Sequence, residues 1–279
     1  MPPSGGFTLT ELLAVVVISG VLGSLLWSAL SGAKGKVLQT VCRSNMHQLG
    51  VAFMLYLDSN NDTFPSAGDG THAHRDWVTF SPSVWEDGAQ RPLNIQADST
   101  ITPYLGRLTT NVLRCPADRV LKKIDTNPEF RRGLLLKFNL QSAVCYPFSY
   151  SLNGSPIVSG LDGKHYAFSN RPGDYPVNRG MASYEEGEIS LPYYSPLIRH
   201  PVQKIMLAEE QTWDEFSLNT GRRYGNNVWS WDTSNPTGYV HDPLTSRHDK
   251  RGQVVLADGH VETVRPSFAD DPSHADPAR

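Results

Sequence analysis

Apolar and polar positions are spread very unevenly along this chain of 279 residues. From Leu12 to Ala33 no side chain carries a formal charge, and the run opens with Leu12-Leu13-Ala14-Val15-Val16-Val17-Ile18. A helix of that length rises about 33 Å, close to the ~30 Å hydrocarbon core of a bilayer, so a membrane span over about residues 10–33 is predicted. Beyond it, Leu38, Cys42, Asn45, Leu49, Ala52 and Tyr56 recur in steps of four and three, a narrow stripe with Asn45 as its polar interruption. The helix should therefore continue to about residue 58. There Asp58-Ser59-Asn60-Asn61-Asp62 and then Pro65 form a turn cluster. One helix over 7–58 is expected, its first half in lipid and its second half packed on a sheet. Gly20, Gly23, Gly32 and Gly35 are the places where it could bend.

Past that point the period changes. From residue 59 to 265, short apolar or aromatic runs are broken by Pro and Gly every eight to twelve residues or so, which suits short strands and long loops. A short helix is expected over Arg131 to Leu140. The most legible unit is Gln253 to Ala257, then Asp258-Gly259, then His260 to Val264. An Asp-Gly pair between two β-prone runs predicts a two-residue hairpin turn, because Gly adopts positive φ freely and Asp tolerates it better than most. The tail over 266–279, with two Asp-Pro pairs and few apolar residues, is expected to be disordered. The class predicted is α+β: a long N-terminal helix packed on an antiparallel β-sheet with long loops.

The carboxylate of Glu11 stands at the head of the apolar run. An ionised group at mid-membrane costs about 2.5–3.5 kcal/mol on insertion scales, so it needs a partner or an interfacial position. A chain beginning at Phe7 would place its α-amine one helical turn before Glu11, where it or a neighbouring copy's amine could neutralise the carboxylate. Gly6-Phe7-Thr8-Leu9-Thr10-Glu11-Leu12-Leu13 resembles the processing motif of type IV prepilins, shared with type II secretion pseudopilins. The resemblance implies cleavage between Gly6 and Phe7 by a membrane prepilin peptidase, which leaves residues 1–6 as the leader and methylates Phe7. It implies further that Glu11 pairs with a neighbour's N-terminus during filament assembly.

Two features depart from the family pattern. The leader carries no Lys or Arg, and Lys34, Lys36 and Arg43 follow the span. By the positive-inside rule alone those three would hold the C-terminal side in the cytoplasm. Cleavage at Gly6 requires the opposite orientation, with the domain over 59–265 outside, and a start further upstream would supply the missing basic residues. At the other end, His248 followed after nine residues by Asp258-Gly259 is similar to a His-x9-Asp-Gly motif of a large class of pseudopilin-like proteins. Cys42-Arg43-Ser44-Asn45 with Gln48-Leu49-Gly50, and Cys115-Pro116-Ala117-Asp118, resemble that class too.

What the resemblance implies is a structural subunit of a pseudopilus supporting protein export, at the inner membrane with its domain in the periplasm. Its partners would be the prepilin peptidase, other pseudopilins, an inner-membrane assembly platform and membrane lipid. A second reading keeps the same anchor but gives the domain a carbohydrate- or metal-binding role, motivated by Trp77, Trp85, Trp213, Trp229 and Trp231.

Composition and motif searches narrow the chemistry. Lys+Arg 25 against Asp+Glu 28 leaves a net charge of −3, so no basic excess points to nucleic acid. The mean hydropathy of −0.35 describes a soluble chain only because it averages over the N-terminal run. Gly-x-Ser-x-Gly, His-Glu-x-x-His and phosphate-loop patterns are absent, no catalytic residue is assigned, and no enzyme activity is expected. His248 and Asp258 are better read as structural, with His248 hydrogen-bonded to the turn that closes its hairpin, than as a catalytic or metal pair. His72-Ala73-His74-Arg75-Asp76 starts like a binuclear metal motif, but Trp77 replaces the next ligand. Asp58 to Asp62 alternates oxygen ligands like a calcium loop without its sixth-position glycine or twelfth-position glutamate. No cofactor or metal site is assigned; calcium is left open. Of the three cysteines, Cys42 and Cys115 are the candidate pair in an oxidising compartment, since one bridge would pin helix to sheet; three free buried thiols are the alternative.

Overall fold

The computed structural model describes residues 8–65, 77–78, 99–106, 110–119, 127, 129, 148–154, 158–159, 165–166, 184–186, 189–191, 193–211, 228–229 and 243–277. Within the helix and strands, side chains are described except at 26–32, 158–159, 165–166, 184–186, 189–191 and 228–229.

Helix α1 runs unbroken over Leu9–Ser59. Its start is defined by a capping box: Thr8 Oγ1 accepts from the Glu11 backbone N–H, while the Glu11 carboxylate accepts from the Thr8 N–H at 2.9 Å. Two orphan donors are thereby satisfied reciprocally. At the other end Asn61 and Asp62 take left-handed φ values of 53° and 59°, and the Asp62 N–H donates to the Leu57 carbonyl at 2.9 Å. The sequence Asp58 to Asp62 is thus a helix-terminating loop built from residues that tolerate positive φ.

Among the described residues nine strands follow: β1 Tyr150–Asn153, β2 Val158–Ser159, β3 His165–Tyr166, β4 Tyr184–Glu186, β5 Ile189–Leu191, β6 Ile205–Glu209, β7 Val228–Trp229, β8 Gly252–Leu256 and β9 Val261–Val264. β1, β6, β8 and β9 form an antiparallel sheet in the order β1-β6-β8-β9, with β7 added parallel at the β1 edge. β2–β3 and β4–β5 are separate two-stranded pairs. A long N-terminal helix packed on an antiparallel sheet is the α+β, pilin-like arrangement expected. The short helix expected over Arg131 to Leu140 lies outside the described residues.

The sheet has two buried faces. Tyr150, Leu152, Leu207, Val255 and Val261 join the cluster under α1, together with Cys42, Met46, Leu49, Ala52, Phe53 and Leu57. Ile205, Ala208, Val254, Leu256 and Val264 face a second cluster with Ala269 and Ala275. An irregularity in the β6–β8 register between Ile205 and Leu207 lets both Met206 and Leu207 reach the α1 side before alternation resumes at Ala208.

Three expectations change here. The buried seam of α1 is wider than the stripe read from the sequence: Met46, Phe53 and Leu57 are buried in it, whereas Leu38, Asn45 and Tyr56 are only partly covered. A helix lying on a flat sheet buries a broader arc than a two-position seam. Asn45 sits at the rim and donates to the Arg114 carbonyl at 3.0 Å.

Instead of the disorder expected over 266–279, the described residues 266–277 form α2 Pro266–Ala269 and α3 Pro272–Ala275. Two small side chains, Ala269 and Ala275, are fully buried against the second sheet face. Asn153, buried in β1, donates from Nδ2 to the carbonyls of Ile205 and Ala275, at 2.7 and 2.9 Å. The buried Lys204 reaches the Ser273 carbonyl with its Nζ. Low hydrophobicity misled because the contacts are mostly backbone ones, which composition does not record.

The β8–β9 hairpin forms at Asp258-Gly259, with a different turn. The Gly259 N–H donates to the Leu256 carbonyl at 2.8 Å, so Ala257 and Asp258 are the central turn residues. Gly259 alone takes positive φ, at 90°, and Leu256 pairs with His260. This is the three-residue loop with a following glycine rather than the two-residue turn expected.

Candidate functional site

Two regions bring together the residues singled out from the sequence. The first is the head of α1. Glu11 is exposed, and its Oε2 accepts both the Thr8 N–H and the Thr8 hydroxyl, the latter at 2.7 Å. Gly6 and Phe7 lie outside the described residues. From Leu9 to Leu25 every described side chain is exposed, including Leu12 at 58%, Val16 at 62% and Leu25 at 62%. Among the described residues no helix is long and apolar enough to cross a membrane. The span expected over 10–33 includes side chains 26–32, which are outside the described set.

The second region is a buried polar cluster between α1 and the sheet. Cys42, on the α1 seam, and Cys115 form a disulfide across 73 residues, with Cα atoms 5.1 Å apart. Cys115 opens the turn Cys115-Pro116-Ala117-Asp118, closed by the Asp118 N–H donating to the Cys115 carbonyl at 2.9 Å. His248 reaches the same place from the loop before β8. There Asp249 and Lys250 adopt left-handed backbone, φ 52° and 61°, so that His248 and Arg251 exchange backbone hydrogen bonds.

The His248 Nε2 lies 3.3 Å from Cys115 Sγ and 3.1 Å from Oε1 of Glu209. Glu209, at the end of β6, is fully buried; its Oε2 accepts the Gln253 N–H at 3.1 Å, and Arg247 Nη1 stands 3.5 Å from Oε1. Arg247 also pairs with Asp118 at 2.9 Å and donates to the Glu210 carbonyl at 2.8 Å. Asp118 in turn accepts from Ser149 Oγ at 3.1 Å, and Ser149 Oγ accepts the Cys115 N–H at 3.0 Å. Burial first, and the Glu209 charge second, push the neighbouring Tyr150 hydroxyl well above the ordinary phenol pKa, so it stays neutral.

The role expected for His248 is corrected by this geometry. Its ring turns into the core toward Cys115 and Glu209 rather than to the hairpin turn. Asp258 bonds instead to His260, whose Nδ1 is 2.5 Å away, and His260 Nε2 faces Glu262 at 3.2 Å. His248 and Asp258-Gly259 therefore sit at different ends of the hairpin. Gly259 has a packing role: its carbonyl lies under Gly50 of α1.

No motif in the sequence marks Glu209 or Arg247. A carboxylate ending the apolar run Ile205 to Ala208 was the available signal, since a charge on a buried strand demands a partner. His72 to Asp76 and Trp85, Trp213 and Trp231 fall outside the described residues, as does the side chain of Trp229. Trp77 is wholly buried against Phe53, with ring centroids 5.7 Å apart, and serves the core.

Residues 1–27 match the family model described as the prokaryotic N-terminal methylation motif. The chain thus carries the N-terminus of a prepilin-type pilin or pseudopilin, the class whose subunits are processed by prepilin peptidase and assemble with other pilin-type subunits. The match ends within the first half of α1 and does not reach His248, Asp258 or Gly259. No curated protein and no solved structure matches the chain.

Proposed function

We propose that this chain is a structural pseudopilin, cut between Gly6 and Phe7, anchored in the inner membrane by the first half of α1, and assembled through that helix into a type II secretion-like pseudopilus supporting protein export. The observation that carries this reading is the division of α1. Its second half is buried on the sheet from Cys42 to Leu57, while the first half carries the methylation motif and leaves the apolar side chains between Leu9 and Leu25 uncovered. An exposed apolar surface of that extent marks a membrane or subunit contact. In the single chain Thr8 occupies the Glu11 carboxylate; in a filament the methylated amine of a neighbouring Phe7 takes that role. The work of the molecule is assembly, and no catalytic step is assigned to it.

N-terminal mass spectrometry of the full chain, produced with and without an active prepilin peptidase, tests the processing step. An N-methylated Phe7 is expected with the peptidase and an intact Met1 without it. Glu11→Gln should then cut filament yield at least tenfold while leaving the processed mass unchanged. An intact Met1 in the presence of the peptidase, or normal assembly of Glu11→Gln, overturns the proposal.

A further inference from the structure

The buried cluster holds more ligand chemistry than a structural disulfide needs. Sγ of Cys42, Sγ of Cys115, a carboxylate oxygen of Glu209 and a ring nitrogen of His248 all lie within 4.8 Å of one another, and all four residues are buried. A disulfide is neutral and already satisfied, so it gives no reason to bury a carboxylate and an imidazole against it. One nitrogen, His248 Nε2, faces both Cys115 Sγ and Glu209 Oε1, and a single N–H cannot be given fully to both. A tetrahedral zinc site with Zn–N and Zn–O bonds of about 2.0–2.2 Å and Zn–S bonds of about 2.3 Å has ligand-to-ligand edges of about 3.3–3.8 Å. The observed 3.1 and 3.3 Å separations are close to those edges.

We propose that the reduced form of this chain binds one zinc-like divalent cation through Cys42, Cys115, His248 and Glu209, so that disulfide and metal are alternative states of one site. The surroundings fit a held metal. The Gln253 N–H occupies Glu209 Oε2 and thereby leaves Oε1 for coordination, the outer hydrogen bond that orients a ligating carboxylate. Two thiolates and one carboxylate around a divalent cation leave one negative charge, and Arg247, shared with Asp118, stands 3.5 Å from Glu209 Oε1. A cleft of about 470 Å³ lined by Leu38, Asp118, Arg247 and His248 reaches the His248 side of the cluster.

The exchange balances in atoms and electrons. A dithiol or phosphine reductant supplies two electrons, the S–S bond breaks, and two protons complete two thiols. Metal binding then releases those two protons as thiolate–metal bonds form. In reverse, an exchange partner's disulfide takes the two electrons, its S–S bond breaks and two protons from water complete its thiols, while the protein S–S bond forms and the cation leaves.

The test uses the full-length protein in detergent with Cys145→Ser, which removes the third thiol. The protein is reduced with a water-soluble phosphine, freed of it without oxygen, and titrated with Co2+ alone. One equivalent should produce a thiolate-to-cobalt band in the near ultraviolet and the intense visible bands of tetrahedral cobalt. One equivalent of Zn2+ should erase both, and the unreduced protein should show neither. His248→Ala and Glu209→Gln should each weaken Co2+ binding tenfold or more, while His260→Ala leaves it unchanged. Because reduction or substitution can cost the fold, Zn2+ protection of Cys42 and Cys115 against alkylation, and a Zn2+-dependent rise in Tm, are read on the reduced protein with both cysteines intact. Absence of the cobalt bands together with absence of Zn2+ protection overturns the site, as does Co2+ binding that survives both substitutions unchanged.

Discussion

At the scale of single residues, the two histidines near the hairpin have opposite surroundings. His248 is enclosed by Cys115 and Glu209, whereas His260 sits at the surface with a carboxylate on each ring nitrogen. Partial burial works against the charged His260 ring. The hydrogen bonds and negative charges of Glu262 and Asp258 outweigh it, and its pKa is raised above 6.5. A folded-state pKa above the unfolded value means the contribution to stability is fully present below about pH 6.5 and is lost as pH climbs through the raised value. Thermal melts of the wild type should therefore lose Tm across that window, and His260→Gln should flatten the loss. Parallel slopes for the two proteins would refute the assignment. The sequence showed both histidines, but not which carboxylates they meet. Asp258 and Glu262 are close along the chain to His260; Glu209 comes to His248 only through the fold.

At the scale of elements, α1 and the β8–β9 hairpin interlock at one glycine. A Cβ on Gly50 would stand 2.9 Å from Val255 Cγ1 and 3.1 Å from the Gly259 carbonyl oxygen, both part of the sheet. Replacing glycine by alanine inside a helix gains about 1 kcal/mol in propensity, but forcing an extra methyl into a packed contact costs about 1–3 kcal/mol. Neither Val255 nor a backbone carbonyl can swing away, so the clash wins. Gly50→Ala is expected to lower stability by up to about 2 kcal/mol in urea melts. Gly35→Ala on the same helix, where a Cβ meets nothing within 4 Å, is expected to be neutral or stabilising. Equal effects at the two positions would show that close approach is not what Gly50 serves. The existence of α1 and of the hairpin was legible, because both rest on periods and turn residues a few positions apart. The exact turn was not, since Asp-Gly suits either loop and only the pairing of Leu256 with His260 selects between them.

At the scale of the whole molecule, α1 has an arm exposed from Leu9 to Leu25 and an arm packed on the sheet, and a disulfide ties the packed arm to the domain. The Cys42–Cys115 bridge closes a loop of 73 residues. In the chain-entropy account such a loop restricts the unfolded state by about 4 kcal/mol. Replacing both cysteines by serine should lower the denaturant-derived stability by about 2–5 kcal/mol and leave the cleavage proposed before Phe7 unaffected, because the methylation motif stands on the other arm. Chemical denaturation and N-terminal mass spectrometry of the same preparation check both halves of that expectation.

The N-terminal motif, the uncharged run, the long helix and the hairpin could be read from the chain alone. Each is written in neighbouring residues, and the forces that make it act over one or two turns of backbone. The packing of the tail onto the far sheet face, the width of the buried helix seam and the arrival of Glu209 and His248 beside the Cys42–Cys115 pair could not. Those depend on which strand lies beside which, and a local pattern records that a face is buried without recording what lies against it. The order β1-β6-β8-β9 carries Glu209 to the start of the last hairpin and so beside His248. It is strand order, not spacing, that turns four scattered side chains into one site.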